Sequence, residues 1–325
     1  MPKASEILLN KFPFEPTQGQ RLLFSMIDTL LSSKADKPIL LLKGYAGTGK
    51  TSVISTLAQV LPLFNMKYVL LAPTGRAAKV MSSYSKKMAF TIHKRIYKQV
   101  TEGEGTLKFK RQKNYSKNTV FIVDEASMIN QETSYGNKGL LSDLMDYIFS
   151  ESSNRLILVG DNAQLPPVGQ LISPALEADF LVGSFKMDLQ EIVLTEVMRQ
   201  QAESGILWNA TKLRQSLTQE KPHLYLETAG FSDLFKMTSE RLEDGLRYAY
   251  DKFGIENSII ICRSNKLANN YNQYIRQRIH FHESELEAGE ILMAVRNNYV
   301  HTPDELKGGF VANGDFLEVT KIVSF

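Results

Sequence analysis

The chain has 325 residues, 43% of them hydrophobic and 22% charged, with a net charge of +3; that length favours two domains and that apolar content supplies a core for each. Cys262 is the only cysteine, which excludes an internal disulfide and a thiolate metal cluster, and inside the apolar run Ile259-Ile260-Ile261-Cys262 it is expected to be buried. No run approaches the ~18 uninterrupted apolar residues of a membrane span and the N-terminus lacks a charged-then-apolar secretory pattern, so a soluble, cytoplasmic protein with no membrane partner is expected.

From the N-terminus, residues 18–32 carry a helical apolar pattern, and Ile39-Leu40-Leu41-Leu42 then reads as a buried strand. That strand runs directly into Gly44-Tyr45-Ala46-Gly47-Thr48-Gly49-Lys50-Thr51, which matches G-x-x-x-x-G-K-[ST] without a mismatch. Glycines let backbone N–H groups close around phosphates, and a helix expected from Ser52 to residue 60 presents its positive end to them. Lys50 is expected to reach the β- and γ-phosphates of ATP. Thr51 is expected to hold Mg²⁺ through its hydroxyl, because this hard ion keeps several waters and takes few protein oxygens.

A second strand, 68–72, delivers Pro73, Thr74 and Arg76 to its carboxyl end, where open α/β sheets place ligands. Between Arg76 and Lys117 stand twelve Lys and Arg against Glu102 and Glu104. Tyr84, Phe90, Tyr97, Phe109 and Tyr115 are interleaved with them. Cations that follow a phosphate backbone beside rings that stack on bases suit a single strand, although charge runs are more often solvated faces. Within this segment, residues 95–112 read as helix end, strand, turn and strand, an inserted hairpin whose second arm alternates in period two.

The run Thr119-Val120-Phe121-Ile122-Val123 is a strand that ends in adjacent carboxylates. Asp124, nearest the strand, suits the Mg²⁺ shell, and Glu125 suits the task of orienting and polarising an attacking water. Strand 155–159 then leads to Gly160-Asp161-Asn162-Ala163-Gln164-Leu165-Pro166-Pro167. Gln164 is a neutral hydrogen-bonding side chain placed to sense a γ-phosphate, while Pro166, Pro167 and Gly169 keep the loop from becoming helix. After strand 189–194, Arg199 is the candidate cation facing the transferred phosphoryl group, or else a solvated surface charge.

In this order the phosphate loop, Ala72-Pro73-Thr74-Gly75-Arg76-Ala77-Ala78-Lys79, Thr91-Ile92-His93, Asp124-Glu125-Ala126-Ser127, residues 160–168 and Leu194-Thr195-Glu196-Val197-Met198-Arg199 resemble the superfamily 1B DNA helicases, the RecD-like and phage Dda-like translocases. The resemblance implies that Gln20 reads adenine ahead of the loop, Gln164 senses the γ-phosphate and Arg199 is an arginine finger. It also implies that Pro73, Thr74 and Arg76 contact a DNA strand and that His93 touches its backbone, unless the Thr91-Ile92-His93 block merely caps a helix. The hairpin becomes the wedge that splits the duplex, with Phe109 as its ring, or a surface hairpin with Phe109 packed inward.

The fold class expected is α/β, a RecA-like P-loop parallel sheet over 1–201 with an inserted hairpin at 95–118, followed over 202–325 by part of a second RecA-like domain. In that second part, 206–217, 239–253 and 265–279 read as helices and 259–262 as a buried strand. The family's later motifs are not found before Phe325, and 316–323 reads as a strand without a sheet partner in sequence, so a chain truncated before those motifs is expected.

The function implied is ATP-dependent, Mg²⁺-dependent translocation on single-stranded DNA, 5′-to-3′, with unwinding at junctions with duplex, by a monomer that loading proteins assist. The alternatives are a nucleic-acid-binding fragment with little ATPase activity and a P-loop ATPase that remodels RNA or protein.

Overall fold

The computed structural model describes residues 3–102, 106–131, 139–167, 169–196, 204–217, 219–295, 311 and 313–323, and side chains for all of these but 99–102 and 106–109. The chain divides into two compact units, Met1–Arg199 with Ala294–Asp315, and Gln200–Met293 with Phe316–Phe325.

The first unit opens with helices α1 (Ala4–Lys11) and α2 (Gln18–Ser32). Thr17 and Gln20 form a capping box at the start of α2, in which the Thr17 hydroxyl accepts the Gln20 N–H and the Gln20 side chain accepts the Thr17 N–H. Strands β1 (Pro38–Gly44), β2 (Lys67–Ala72), β3 (Ala89–Thr91), β6 (Thr119–Val123), β7 (Arg155–Gly160) and β8 (Asp188–Leu194) make one parallel sheet in the order β3-β2-β6-β7-β1-β8. Between β3 and β6 the chain makes the hairpin β4 (Tyr97–Glu102) and β5 (Thr106–Arg111), paired antiparallel with Tyr97 opposite Arg111. The pattern 95–118 thus contains the expected hairpin, and the turn residues 103–105 lie outside the described residues.

Strands buried on both faces read as continuous apolar runs, and alternate residues feed two cores. Leu40, Leu42, Ile122 and Val159 point to the side of α2, α3 (Lys50–Val60) and α4 (Gly75–Ser85). Ile39, Leu41, Phe121, Val123 and Leu158 point to α5 (Ile92–Ile96), α6 (Leu140–Ile148) and α7 (Ala178–Phe185). Arg155 fastens α2 to the sheet by donating to the carbonyls of Leu30 and Leu31, the acceptors that a helix end leaves over. β3, α1 and α7 have no counterpart in the sequence reading.

The second unit holds α8 (Gly205–Leu217), α9 (Leu242–Phe253) and α10 (Asn265–Tyr274), the last continued by one π-helical turn at Ile275–Ile279. Two expectations are corrected here. The run 259–262 forms no strand and has no ladder partner among the described residues, with Ile259 82% and Ile261 90% exposed and Cys262 half-buried. An apolar run becomes a buried strand only where neighbouring strands take up its backbone groups, and the elements that flank this one in sequence, α9 and α10, are helices. Conversely, the terminal strand does have a partner: β10 (Phe316–Glu318) pairs antiparallel with β9 (Ile291–Met293), a strand too short to stand out in sequence.

Candidate functional site

Parallel strands bring their carboxyl ends to one edge, and β1, β6 and β7 deliver the phosphate loop, the Asp124-Glu125 pair and the Asp161-to-Gln164 loop to that edge side by side. The phosphate loop leaves β1 at Gly44 and enters α3 through Gly49, whose φ of +86° belongs to the left-handed region. A Cβ there would also stand 2.5 Å from Gln20 Nε2, so both conformation and space require glycine. Thr48 is buried, and its hydroxyl donates to the Tyr45 carbonyl at 2.8 Å. Lys50 Nζ donates to the carbonyls of Gly44 (2.6 Å) and Tyr45 (2.9 Å), which holds its ammonium at the loop. Ala46, Gly47, Thr51 and Ser52 complete the turn and the first helical residues, with Thr51 exposed.

Gln20 is 1% exposed and is no surface amide. Its Oε1 accepts from Thr17 N and its Nε2 donates to the Thr48 carbonyl at 3.0 Å, so the cap of α2 is stitched to the phosphate loop.

Asp124 lies just past β6, with Oδ1 accepting the Glu125 N–H at 2.9 Å and Oδ2 accepting the Tyr84 hydroxyl at 2.8 Å. Burial pushes its carboxyl above the usual range, while Tyr84, the Glu125 amide and Lys50 pull the other way. Glu125 adopts φ +54°, a strained conformation for a non-glycine residue of the sort that active sites retain. Burial raises its carboxyl too, and the charge of Asp124 adds to the rise, opposed by a hydrogen bond from Gln164 and by Lys50. The Gln164 Oε1 accepts from Ser127 Oγ at 3.0 Å. The amide of the exposed Gln164 is therefore oriented between Ser127 and Glu125.

Asp161 is buried and caps its own loop by accepting the Ala163 N–H at 2.8 Å. Gly160 leaves no room for a side chain, since a Cβ would meet Leu176 Cδ2 at 2.6 Å. Sequence reasoning missed Tyr84 and Ser127: the first looked like one ring of a basic track, the second like the end of a motif.

The oxygen set fits Mg²⁺: a threonine hydroxyl at the start of α3 and a carboxylate whose orientation two hydrogen bonds fix, with few protein ligands in all. Among the described residues no group of three or more His, Cys, Asp and Glu is arranged to hold a metal.

The candidate strand contacts are more scattered. Thr74 caps α4, accepting the Ala77 N–H at 3.2 Å, between half-buried Pro73 and exposed Arg76. Thr91 caps α5, accepting the Lys94 N–H at 3.1 Å. His93 is half-buried with its ring 5.8 Å from that of Tyr97, and burial lowers its pKa.

The cationic, ring-bearing track needs correction. Tyr84 and Phe90 pack against the two cores and Tyr97 is buried, because a ring gains more from the core than from water. Arg111 pairs with Asp146 at 2.8 Å and Asp143 at 3.8 Å, and Arg95 donates to Ser116 Oγ at 2.8 Å, so these two cations fasten the hairpin root. Tyr115 stays 80% exposed, with Lys113 5.6 Å above its ring. The Phe109 side chain and Arg199 lie outside the described residues.

Among the described residues no helix is long and apolar enough to cross a membrane.

A family model for an AAA domain matches residues 28–170. The chain is 26% identical over 193 residues to the ATP-dependent RecD2 DNA helicase of Deinococcus radiodurans, covering 59% of this chain and 24% of that protein. It is 30% identical over 189 residues to the ATP-dependent DNA helicase dda of Enterobacteria phage T4, covering 57% of this chain and 40% of that one. It thus spans less than half the length of these two relatives. A solved structure of Pif1 helicases at forked double-stranded DNA superposes with a TM-score of 0.52 at 17% identity, covering 95% of this chain and 72% of that one, a likeness of fold. Over residues 28–170 the chain thus matches an AAA domain, and it is similar in sequence to the RecD2 and dda DNA helicases and in fold to the Pif1 helicases.

Proposed function

We propose that this chain hydrolyses ATP to move 5′-to-3′ along single-stranded DNA and to open its junctions with duplex, as a cytoplasmic monomer that loading proteins assist. The observation that carries the reading is the meeting of Lys50, Asp124, Glu125 and Gln164, from three separate strand ends, at one edge of the sheet.

In this mechanism the loop amides from Gly44 to Thr51 bind the phosphates and Lys50 faces the β- and γ-oxygens. Thr51 and Asp124 would hold Mg²⁺, which supplies charge compensation on those oxygens. Glu125 accepts the proton of the attacking water as its oxygen bonds to the γ-phosphorus and the bond to ADP breaks. Gln164, held by Ser127, touches the same carboxylate and so reads whether the γ-phosphate is there.

By the resemblance, Arg199 supplies the remaining positive charge, and Pro73, Thr74, Arg76, His93 and Phe109 meet the DNA. The names of the RecD2 and dda relatives support DNA as the track.

ATP turnover measured with and without oligo(dT), beside unwinding of duplexes bearing a 5′ or a 3′ single-stranded tail, tests the reading. Stimulation by the oligonucleotide and preference for the 5′ tail are expected. Turnover indifferent to single strands would remove the motor reading.

A further inference from the structure

We propose that Tyr84 is a positioning residue for the metal carboxylate, its hydroxyl fixing the rotation of Asp124 from the far end of α4. The proposal rests on the reading of Asp124 as an Mg²⁺ carboxylate. Tyr84 and Asp124 are separated by 40 residues in sequence, yet the phenol donates to Oδ2 at 2.8 Å while the Glu125 N–H occupies Oδ1 at 2.9 Å.

An ionised carboxylate has about four lone-pair sites, so one hydrogen bond to each oxygen, from different directions, sets its plane and leaves the rest for a metal or its waters. Free rotation about the last side-chain bond would be costly to this ion in particular. Mg²⁺ tolerates little departure from octahedral geometry, and partners that orient a ligating group change metal affinity by about 10- to 100-fold. The ring of Tyr84 packs against the core shared by α2, α3 and α4, and so the hydroxyl is delivered by a rigid support rather than by a loose surface side chain. Helix α4 also begins at Thr74 and Arg76, which places the candidate strand contacts and this hydroxyl on one element.

The test is Tyr84→Phe, which keeps the packed ring and removes only the hydroxyl, read by titrating Mg²⁺ into the protein with a fluorescent ADP analogue, without turnover. The half-saturating Mg²⁺ concentration should rise about tenfold, the low end of the effect of lost orienting partners, with Mg²⁺-free nucleotide affinity changed by less than about twofold. A Mg²⁺ titration identical to wild type, even with a lowered melting temperature, overturns the proposal and leaves Tyr84 a merely structural phenol. An equal loss of nucleotide affinity with and without Mg²⁺ overturns it as well, since that marks a general disturbance of the site. Asp124→Asn is measured alongside. If that variant keeps the wild-type Mg²⁺ titration, the metal reading of Asp124 itself has failed, whereas a shifted Asp124→Asn beside an unshifted Tyr84→Phe defeats the role of Tyr84 alone.

Discussion

Gln20 Nε2 donates to the Thr48 carbonyl at 3.0 Å, so a side chain from the first turn of α2 holds the phosphate loop in place from behind. The same amide oxygen closes the capping box on Thr17 N, which ties loop geometry to the helix start. Gln20→Ala would strand a buried carbonyl, at a cost of about 1–3 kcal/mol, and slacken the loop. KM should rise for ATP and GTP in the same ratio, because the contact is with the loop and not with a base. Parallel steady-state assays with the two nucleotides check this. A loss confined to ATP would assign Gln20 to adenine instead.

Glu125 must be ionised to take a proton, and burial together with Asp124 holds its carboxyl above the usual range. Turnover should therefore rise with pH along an acid limb that lies above the ordinary Glu value of 4.5. Glu125→Gln should lower kcat by about 100-fold or more while nucleotide binding persists. Gln164→Ala removes a hydrogen bond that favours the ionised form, so its acid limb should move to higher pH. A pH profile of kcat/KM for the two proteins reads this directly, and superimposable limbs would separate Gln164 from Glu125.

Much of this site was legible because a parallel strand buried on both faces writes itself as an apolar run, and each run stops at the residue that does chemistry: Leu42 before the loop, Val123 before Asp124, Val159 before Asp161. The phosphate loop is a contiguous backbone device, so its whole geometry lies in eight neighbouring residues. Tyr84 was not legible in its role, since a hydrogen bond across 40 residues leaves no local pattern. β3 covers three residues, too few to show a period. Arg111 read as a cation for DNA because its acidic partners, Asp143 and Asp146, come from a helix some thirty residues on. The run 259–262 carries a strand's composition but pairs with no strand among the described residues.

Asp143 is the anchor of the hairpin root, accepting the Tyr97 hydroxyl at 2.7 Å while it faces Arg111. Asp143→Asn should cost the first unit about 1.5–3 kcal/mol, the worth of a hydrogen bond to a charged group, visible as a lower midpoint in urea unfolding. Arg111→Ala should leave the salt dependence of oligonucleotide binding unchanged, because that guanidinium is already committed to carboxylates. A slope smaller by about one would instead return Arg111 to the phosphate track.

In the second unit, Glu290 accepts from the Arg276 guanidinium, from Glu287 N at 2.9 Å and contacts His282 Nδ1 at 3.1 Å. The Arg276 hydrogen bonds above all hold its carboxyl down to about 2, against an ordinary 4.5. A carboxylate that is more acidic folded than unfolded stabilises the fold fully above the unfolded value and loses that contribution as pH falls through the folded one. Glu290→Gln should therefore be less stable than wild type at neutral pH, and the gap should close as the pH falls from about 4.5 toward 2. Trp208, the only tryptophan, sits on α8 in the same unit, so its emission during urea unfolding at a series of pH values follows this unit directly. A gap that stays constant down to pH 2 would mean that Arg276 does not hold the Glu290 proton off, and that the loss in the variant comes from packing.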